Sequence, residues 1–357
     1  MNYEYWFANI PGLTNYARLS LVAQAGSARE LYFLPERQLK SLGAEEKVTE
    51  AVIAGRKMDT ERAYTALCGD GISFISIEDS AYPARLKTIP DAPYGIYAKG
   101  PLPDGKEKHV AIVGARMCSE YGRAVATELG RQLAALGACV VSGMARGIDS
   151  AAHEGALLAD GVTCAVLGCG VDVCYPKSAG QIYRQILNRG CILSEYPPNT
   201  PPLAAYFPQR NRIISGMSDL VVVVEAKERS GSLITADCAL EQGRDIYAVP
   251  GRLFDKLSAG CNDLIRQGAG ILSNIDEFIQ ELDLCGARGM SVEHLEKILL
   301  EKQERLVYSC VDLRPKSIEE LLAETELLLP DLAQILAGLS QKGFITEVFK
   351  NRYIRHI

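Results

Sequence analysis

The chain has 357 residues, enough for two or three domains with cores of their own, and its 48% hydrophobic and 23% charged content is that of an ordinary globular protein. A formal net charge of −6 excludes a protein that is basic all over, so a site for a polyanion must be a local patch acting against the global field. No apolar run reaches transmembrane length, and Met1-Asn-Tyr-Glu-Tyr-Trp6 has neither a basic n-region nor a signal-type apolar core, which predicts a cytoplasmic location.

Residues 1–65 predict a helical module. Trp6, Ile10, Leu13, Tyr16, Leu19, Leu21 and Val22 recur at approximately helical spacing. The pattern breaks at Ile10-Pro-Gly-Leu-Thr14 and again at Gln24-Ala-Gly-Ser-Ala28. Short helices joined by glycine turns suggest a SAM-like or helix-hairpin-helix-like unit. Few basic residues flank Gly12, so packing is its expected role. Residues 66–108 change character: Ile72-Ser-Phe-Ile-Ser-Ile77 alternates as a strand does, and Tyr94-Gly-Ile-Tyr-Ala98 predicts a second. Prolines 83, 90, 93 and 101 punctuate the rest, which predicts an adaptor leading into the main domain.

From 109 to 284 strands and helices alternate. Strands are expected at 109–115, 138–142, 162–167, 191–194, 219–225 and 245–249. Helices are expected at 119–136, 148–159, 178–189, 209–216, 232–243 and 261–268. The unbroken run Leu220-Val-Val-Val-Val224 suits a strand buried on both faces of a parallel sheet. The fold class is therefore α/β, a doubly wound, Rossmann-like parallel sheet spanning 66–284 with its adaptor. Residues 285–357 return to helices. Leu332, Ile335, Leu336 and Leu339 share one face of a helix that Gly343 ends, and a hairpin turns at Lys350-Asn-Arg352. Helix, helix, hairpin is the order of a winged helix. The eleven cysteines contain no Cys-x-x-Cys, and the evenly spaced Cys164, Cys169 and Cys174 have no histidine nearby in sequence, so reduced thiols are expected and no metal.

In such a sheet chemistry belongs at the strand-to-helix turns. These are Gly114-Ala-Arg116, Ser142-Gly-Met-Ala-Arg-Gly-Ile-Asp149, Gly168-Cys-Gly-Val-Asp172 with Tyr175-Pro-Lys177, Tyr206-Phe-Pro-Gln-Arg-Asn-Arg212, Ser230-Gly-Ser-Leu-Ile-Thr235 and Pro250-Gly251. Glycine lets backbone N–H groups approach a phosphate, serine adds hydroxyl donors and arginine a planar fork. Repeated along one edge, they make an anion groove. A dinucleotide site would need Gly-x-Gly-x-x-Gly and an acid after the second strand, and a P-loop would need Gly-Lys-Ser/Thr; neither is present, so no cofactor is expected. A Rossmann-type nucleotide phosphoribohydrolase is the alternative, but the Gly-Gly and the spaced glutamate of its turn are missing around Gly231–Thr235. A nucleic acid fits better: Arg116, Lys177, Arg210 and Arg212 on its phosphates, with Gly114, Ser230, Gly231 and Ser232 as close donors. Phe207, set just before its helix, either stacks a base or packs in the core. Arg146 and Asp149 are expected to pair with each other, and His153 to be structural.

These motifs together resemble the DNA processing protein A (DprA/Smf) family. The resemblance rests on Val113-Gly-Ala-Arg116, Gly143 through His153, Gly168–Asp172, Phe207-Pro-Gln-Arg-Asn-Arg-Ile-Ile-Ser-Gly216, Ser230–Ala236 and Val249-Pro-Gly251, and covers about 109–275. It implies a non-enzymatic protein that binds and protects single-stranded DNA and loads the RecA recombinase onto it during natural transformation. It further implies a homodimer, with Arg116, Lys177 and Phe207 at DNA-contacting positions. The hairpin turn Phe349-Lys-Asn-Arg352 departs from the family's common Pro-Gly-Gly, which points that module toward protein contact.

Overall fold

The structure is a computed structural model that describes residues 1–42, 45–282, 284, 302–312, 314–325, 327–342, 344–349 and 351–355. Its elements group into two compact units, Met1–Leu282 and Asp283–Ile357. Among the described residues no helix is long and apolar enough to cross a membrane.

The first unit begins with six short helices: α1 (Tyr3–Ala8), α2 (Asn15–Ala25), α3 (Ala28–Phe33), α4 (Glu36–Ser41), α5 (Glu46–Gly55) and α6 (Thr60–Gly69). Local chemistry starts the first three. Asn2 Oδ1 accepts from Tyr5 N at 2.9 Å, Thr14 Oγ1 from Ala17 N at 3.1 Å and Ser27 Oγ from Glu30 N at 3.1 Å. The break at Ile10–Leu13 is stapled by Arg18, which donates to the carbonyls of Phe7, Ile10 and Leu13.

Nine strands follow as one sheet: β1 (Ile72–Ser76), β2 (Gly95–Lys99), β3 (His109–Val113), β4 (Cys139–Ser142), β5 (Thr163–Leu167), β6 (Cys191–Ser194), β7 (Leu220–Val223), β8 (Asp245–Ala248) and β9 (Gly270–Ile271). The order is β1-β2-β6-β5-β4-β3-β7-β8-β9, with β3 to β9 parallel and β1 and β2 antiparallel at one edge. The two strands expected in an adaptor thus belong to the main sheet, which they extend at one side with β1 outermost. Between the strands lie α7 (Ala84–Lys87), α8 (Glu120–Ala135), α9 (Ile148–Leu158), α10 (Gly180–Arg189), α11 (Tyr206–Gly216), α12 (Gly231–Glu241), α13 (Ala259–Arg266) and α14 (Ile275–Glu281). All six strands expected between 109 and 249 form, within two residues at each end.

Alternate strand residues divide between two faces. Ala111, Val113, Val141, Val166, Leu193, Val221 and Val223 share a core with Trp6, Phe7 and Ile10, so the N-terminal helices close one face of the sheet. Ala165, Leu167 and Ile192 pack instead with Phe74, Tyr97, Ile182 and Ile186. Helices α8 and α9 cross closely because Gly155 has no side chain; a Cβ there would collide with the Thr127 carbonyl.

The second unit contains α15 (Lys302–Cys310), β10 (Lys316–Ser317), α16 (Ile318–Thr325), α17 (Leu329–Gln341), β11 (Ile345–Phe349) and β12 (Arg352–Arg355). Its strands pair antiparallel in the order β10-β12-β11. Leu332, Leu336 and Leu339 are buried with Val307, Leu321 and Ile345, and Ile335 packs at their margin. The hairpin turns through Asn351 at φ 61°. Gly343, Lys350 and the expected boundary at 285 lie outside the described residues.

Candidate nucleic-acid interface

Strand β3 has β4 on one side and β7 on the other, so the connections leave its carboxyl end in opposite directions and a cleft opens there. A cavity of about 690 Å³ occupies it. The turn after β3 (Gly114–Met117), the start of α11, the turn 227–230 with the first residues of α12, and Leu257 line it. The turn after β4 supports the turn after β3 from behind: Ile148 N donates to Ala115 O at 3.3 Å, and Gly147 takes φ 82° where a Cβ would strike the backbone of Ala115 and Arg116.

Arg116 is exposed and has no ion-pair partner among the described residues. Its guanidinium carbon stands 5.4 Å from the centroid of the half-buried Phe207 ring. Phe207 is the second residue of α11 rather than a residue ahead of it, because that helix begins at Tyr206. Tyr175 extends the aromatic surface, with ring centroids 5.5 Å apart. On the facing wall Ser230 caps α12, accepting from Ser232 N, and its Oγ lies 2.7 Å from that of Ser232. The helix N-terminus therefore turns its partial positive charge and N–H groups toward the cavity. Asn211 Nδ2 donates to Gly231 O at 3.0 Å and joins the two walls. Gly114 is half-buried at the base of the cavity.

Two of the expected phosphate contacts are corrected. Arg210 is 4% exposed; it donates to Gly143 O at 2.8 Å and to Val166 O, and it faces Asp149. Three residues after Phe207 on one helix, its side chain turns inward beneath the aromatic ring. Arg212 is bound by Asp91 at 3.0 Å and Glu195 at 2.7 Å, and Glu195 also accepts from Asn15 Nδ2. It braces the sheet against the N-terminal helices. Lys177 is exposed in a 3-10 turn after β5 and does not line the cavity, although Tyr175 beside it does.

The expected Arg146–Asp149 pair is also corrected. Arg146 is exposed, whereas Asp149 is buried and takes Arg210 as its cation. Burial pushes the Asp149 carboxyl up to about 6, against the pull of Arg210 and of backbone N–H groups at Ala145, Gly114 and Gly143. His153 is fully buried. Thr163 Oγ1 donates to Val140 O at 2.7 Å, so it accepts from His153 Nδ1 at 2.6 Å and leaves Nε2 as a buried acceptor without a partner among the described residues. Burial, then the nearby Arg210 charge, lowers this imidazole to about 3. Asp149 and His153 thus have structural surroundings.

Lys227 and Arg229, exposed on the cavity rim without ion pairs among the described residues, were not among the expected contacts. Their signal was the turn Ala226-Lys-Glu-Arg229, which carries no glycine of its own and so escaped a search for glycine-rich loops. Glu225, 5% exposed, was also missed; it accepts from Ser119 N at 2.9 Å and from Ser119 Oγ, fixing the start of α8 and the end of the 114–119 turn. Among the described residues no His, Cys, Asp and Glu group has metal-holding geometry, and the ten described cysteines are free. The arrangement sets exposed cations and a helix N-terminus beside an aromatic surface, a combination that suits an anion next to a planar ring.

Comparison with known proteins gives a consistent result. The sequence profile of DNA recombination-mediator protein A matches residues 73–283. The chain is 46% identical over 208 residues to DNA processing protein DprA of Streptococcus pneumoniae, covering 58% of this chain and 73% of that one. It is 41% identical over 222 residues to DNA processing protein DprA of Bacillus subtilis, covering 62% and 75%. Among solved structures, that of the S. pneumoniae protein superposes with a TM-score of 0.71 at 36% identity over 79% of this chain and 98% of that one. DNA processing protein A of Helicobacter pylori, whose structure concerns its single-stranded DNA binding mode, superposes with a TM-score of 0.54 at 32% identity over 59% and 95%.

Proposed function

The chain belongs to the DNA recombination-mediator protein A family, and from that premise we propose that it binds single-stranded DNA non-enzymatically in the cavity at the carboxyl end of β3. The observation that carries this reading is the Arg116 guanidinium, without an ion pair among the described residues, held 5.4 Å from the Phe207 ring at the cavity wall. A backbone phosphate sits between Arg116 and the Ser230–Ser232 start of α12, near Gly114 and Gly231, and the adjoining base stacks on Phe207. Lys177, Lys227 and Arg229 receive the neighbouring phosphates. Arg210, itself part of the cavity lining, contributes by holding Gly143 and Asp149 in place. The strand so held is protected and handed to a RecA-type recombinase by a cytoplasmic homodimer, as the family resemblance implies.

A salt-series titration of oligo-dT and of its duplex tests this. Tighter binding to the single strand is expected. Arg116→Ala should weaken it and reduce the salt slope by up to ~0.7, and Phe207→Ala should cost on the order of 1–3 kcal/mol with the slope unchanged. Equal affinity for both forms, or unchanged affinity in Arg116→Ala, refutes the proposal. Release of free base from a nucleoside monophosphate would establish the phosphoribohydrolase alternative instead.

A further inference from the structure

The connection from β8 to α13, Gly251-Arg-Leu-Phe-Asp-Lys-Leu-Ser258, combines a fixed backbone with an unpacked tip. Asn262 clamps its base, donating to Gly251 O and accepting from Gly251 N, each at 3.1 Å. Asp255 N donates to Arg252 O at 3.1 Å, Ser258 N to Asp255 O at 3.0 Å, and Ala226 N to Leu257 O at 2.7 Å. Yet Leu253 is 86% and Phe254 101% exposed. A loop held this firmly presents its aromatic ring to solvent at a defined place.

The charges around that ring are complementary to phosphate. Arg252 and Lys256 flank the tip, both exposed and without ion pairs among the described residues. The acid between them, Asp255, accepts from Leu257 N at 2.9 Å. Asp263 on α13 pairs with Arg266 at 2.6 Å. The loop is also continuous with the cavity, since Leu257 lines it together with Lys227 and Arg229.

We propose that Arg252–Lys256 is a second seat for single-stranded DNA: Phe254 stacks a nucleobase of the strand leaving the cavity, and Arg252 and Lys256 hold its phosphates. This rests on the single-strand reading of the cavity. One aromatic ring between two cations suits a base and its backbone. A protein-binding hot spot would bring a broader apolar patch than Leu253 and Phe254 provide.

The test uses the full chain. Its sole tryptophan, Trp6, is fully buried, so F254W adds a separately readable exposed indole. Long oligo-dT is expected to quench that indole, and an oligo short enough to fill the cavity alone to leave it unchanged. F254A should weaken long oligo-dT by at least about fivefold and leave the short oligo unaffected. If long oligo-dT saturates the protein by anisotropy without quenching F254W, and F254A binds it as the wild type does, the second seat is overturned while the cavity reading stands. If F254A alters oligomeric mass with affinity intact, the tip belongs to an interface between copies and the proposal falls. If the wild type binds no oligo-dT, the cavity reading itself fails.

Discussion

Arg116 and Arg210 both approach the Phe207 ring, at 5.4 and 5.9 Å, but burial assigns them different roles. Arg116→Ala removes an exposed, unpaired cation and should leave stability within about 0.5 kcal/mol while affinity for oligo-dT falls. Arg210→Ala strands the Asp149 carboxylate and the Gly143 and Val166 carbonyls in a buried site and should cost about 3–5 kcal/mol, read from denaturant midpoints. Equal stability losses for the two would show that Arg210 is not the internal brace. The pH dependence has two opposed contributions. His153 is lowered from 6.5 to about 3 in the fold, so the unfolded chain binds more protons in that window and stability is lost as pH falls through it. Asp149 is raised from 3.8 to about 6, so the folded chain binds more protons there and stability is lost as pH rises. Between about pH 6 and 3.8 the two cancel; because the larger shift belongs to His153, the pair's net loss of stability on acidification falls between 6.5 and about 6 and again from 3.8 down to about 3. His153→Asn should make the fall in melting temperature on acidification shallower; an unchanged profile would remove His153 as its source.

At the scale of elements, what the sequence revealed follows from how each element is buried. Strand β7 was legible because burial on both faces demands an unbroken run, Leu220–Val223. Strand β9 was not, since Gly270–Ile271 is too short to show any period, and α14 at Ile275–Glu281 escaped with it. The site was legible as a set of turns, but turns name a neighbourhood and not a direction. Arg210 and Arg212 share the motif of Phe207 and yet point into the fold, which only the rotation of α11 decides. Glu225 shows a dependence between elements that no single motif contains. It stands past the end of β7 but holds Ser119, the N-cap of α8, and so sets the turn carrying Arg116. Glu225→Ala should destabilise the fold by about 1–3 kcal/mol. It should also weaken oligo-dT binding with the salt slope retained, because Arg116 is displaced rather than removed. A lowered slope, as in Arg116→Ala, would contradict this.

For the whole molecule the proposed function requires a chain of net charge −6 to attract a polyanion through one part of its surface. Arg116, Lys177, Lys227 and Arg229 lie in turns beyond the carboxyl ends of the parallel strands, exposed and free of ion pairs among the described residues, so the positive field is local. Four phosphates neutralised on a single strand correspond to a log–log salt slope of about −3, and Arg252 with Lys256 would take it to about −4. All six residues belong to the unit Met1–Leu282, whose core runs from Trp6 to Leu264 without residues of the second unit. The second unit has its own core around Val307, Leu321 and Leu336. A chain ending at Leu282 should therefore keep oligo-dT affinity within about twofold and the same salt slope, measured by anisotropy over a salt series. A loss beyond about tenfold, or a slope reduced by two or more, would place phosphate contacts in residues 283–357 and would give that unit a part in holding the strand.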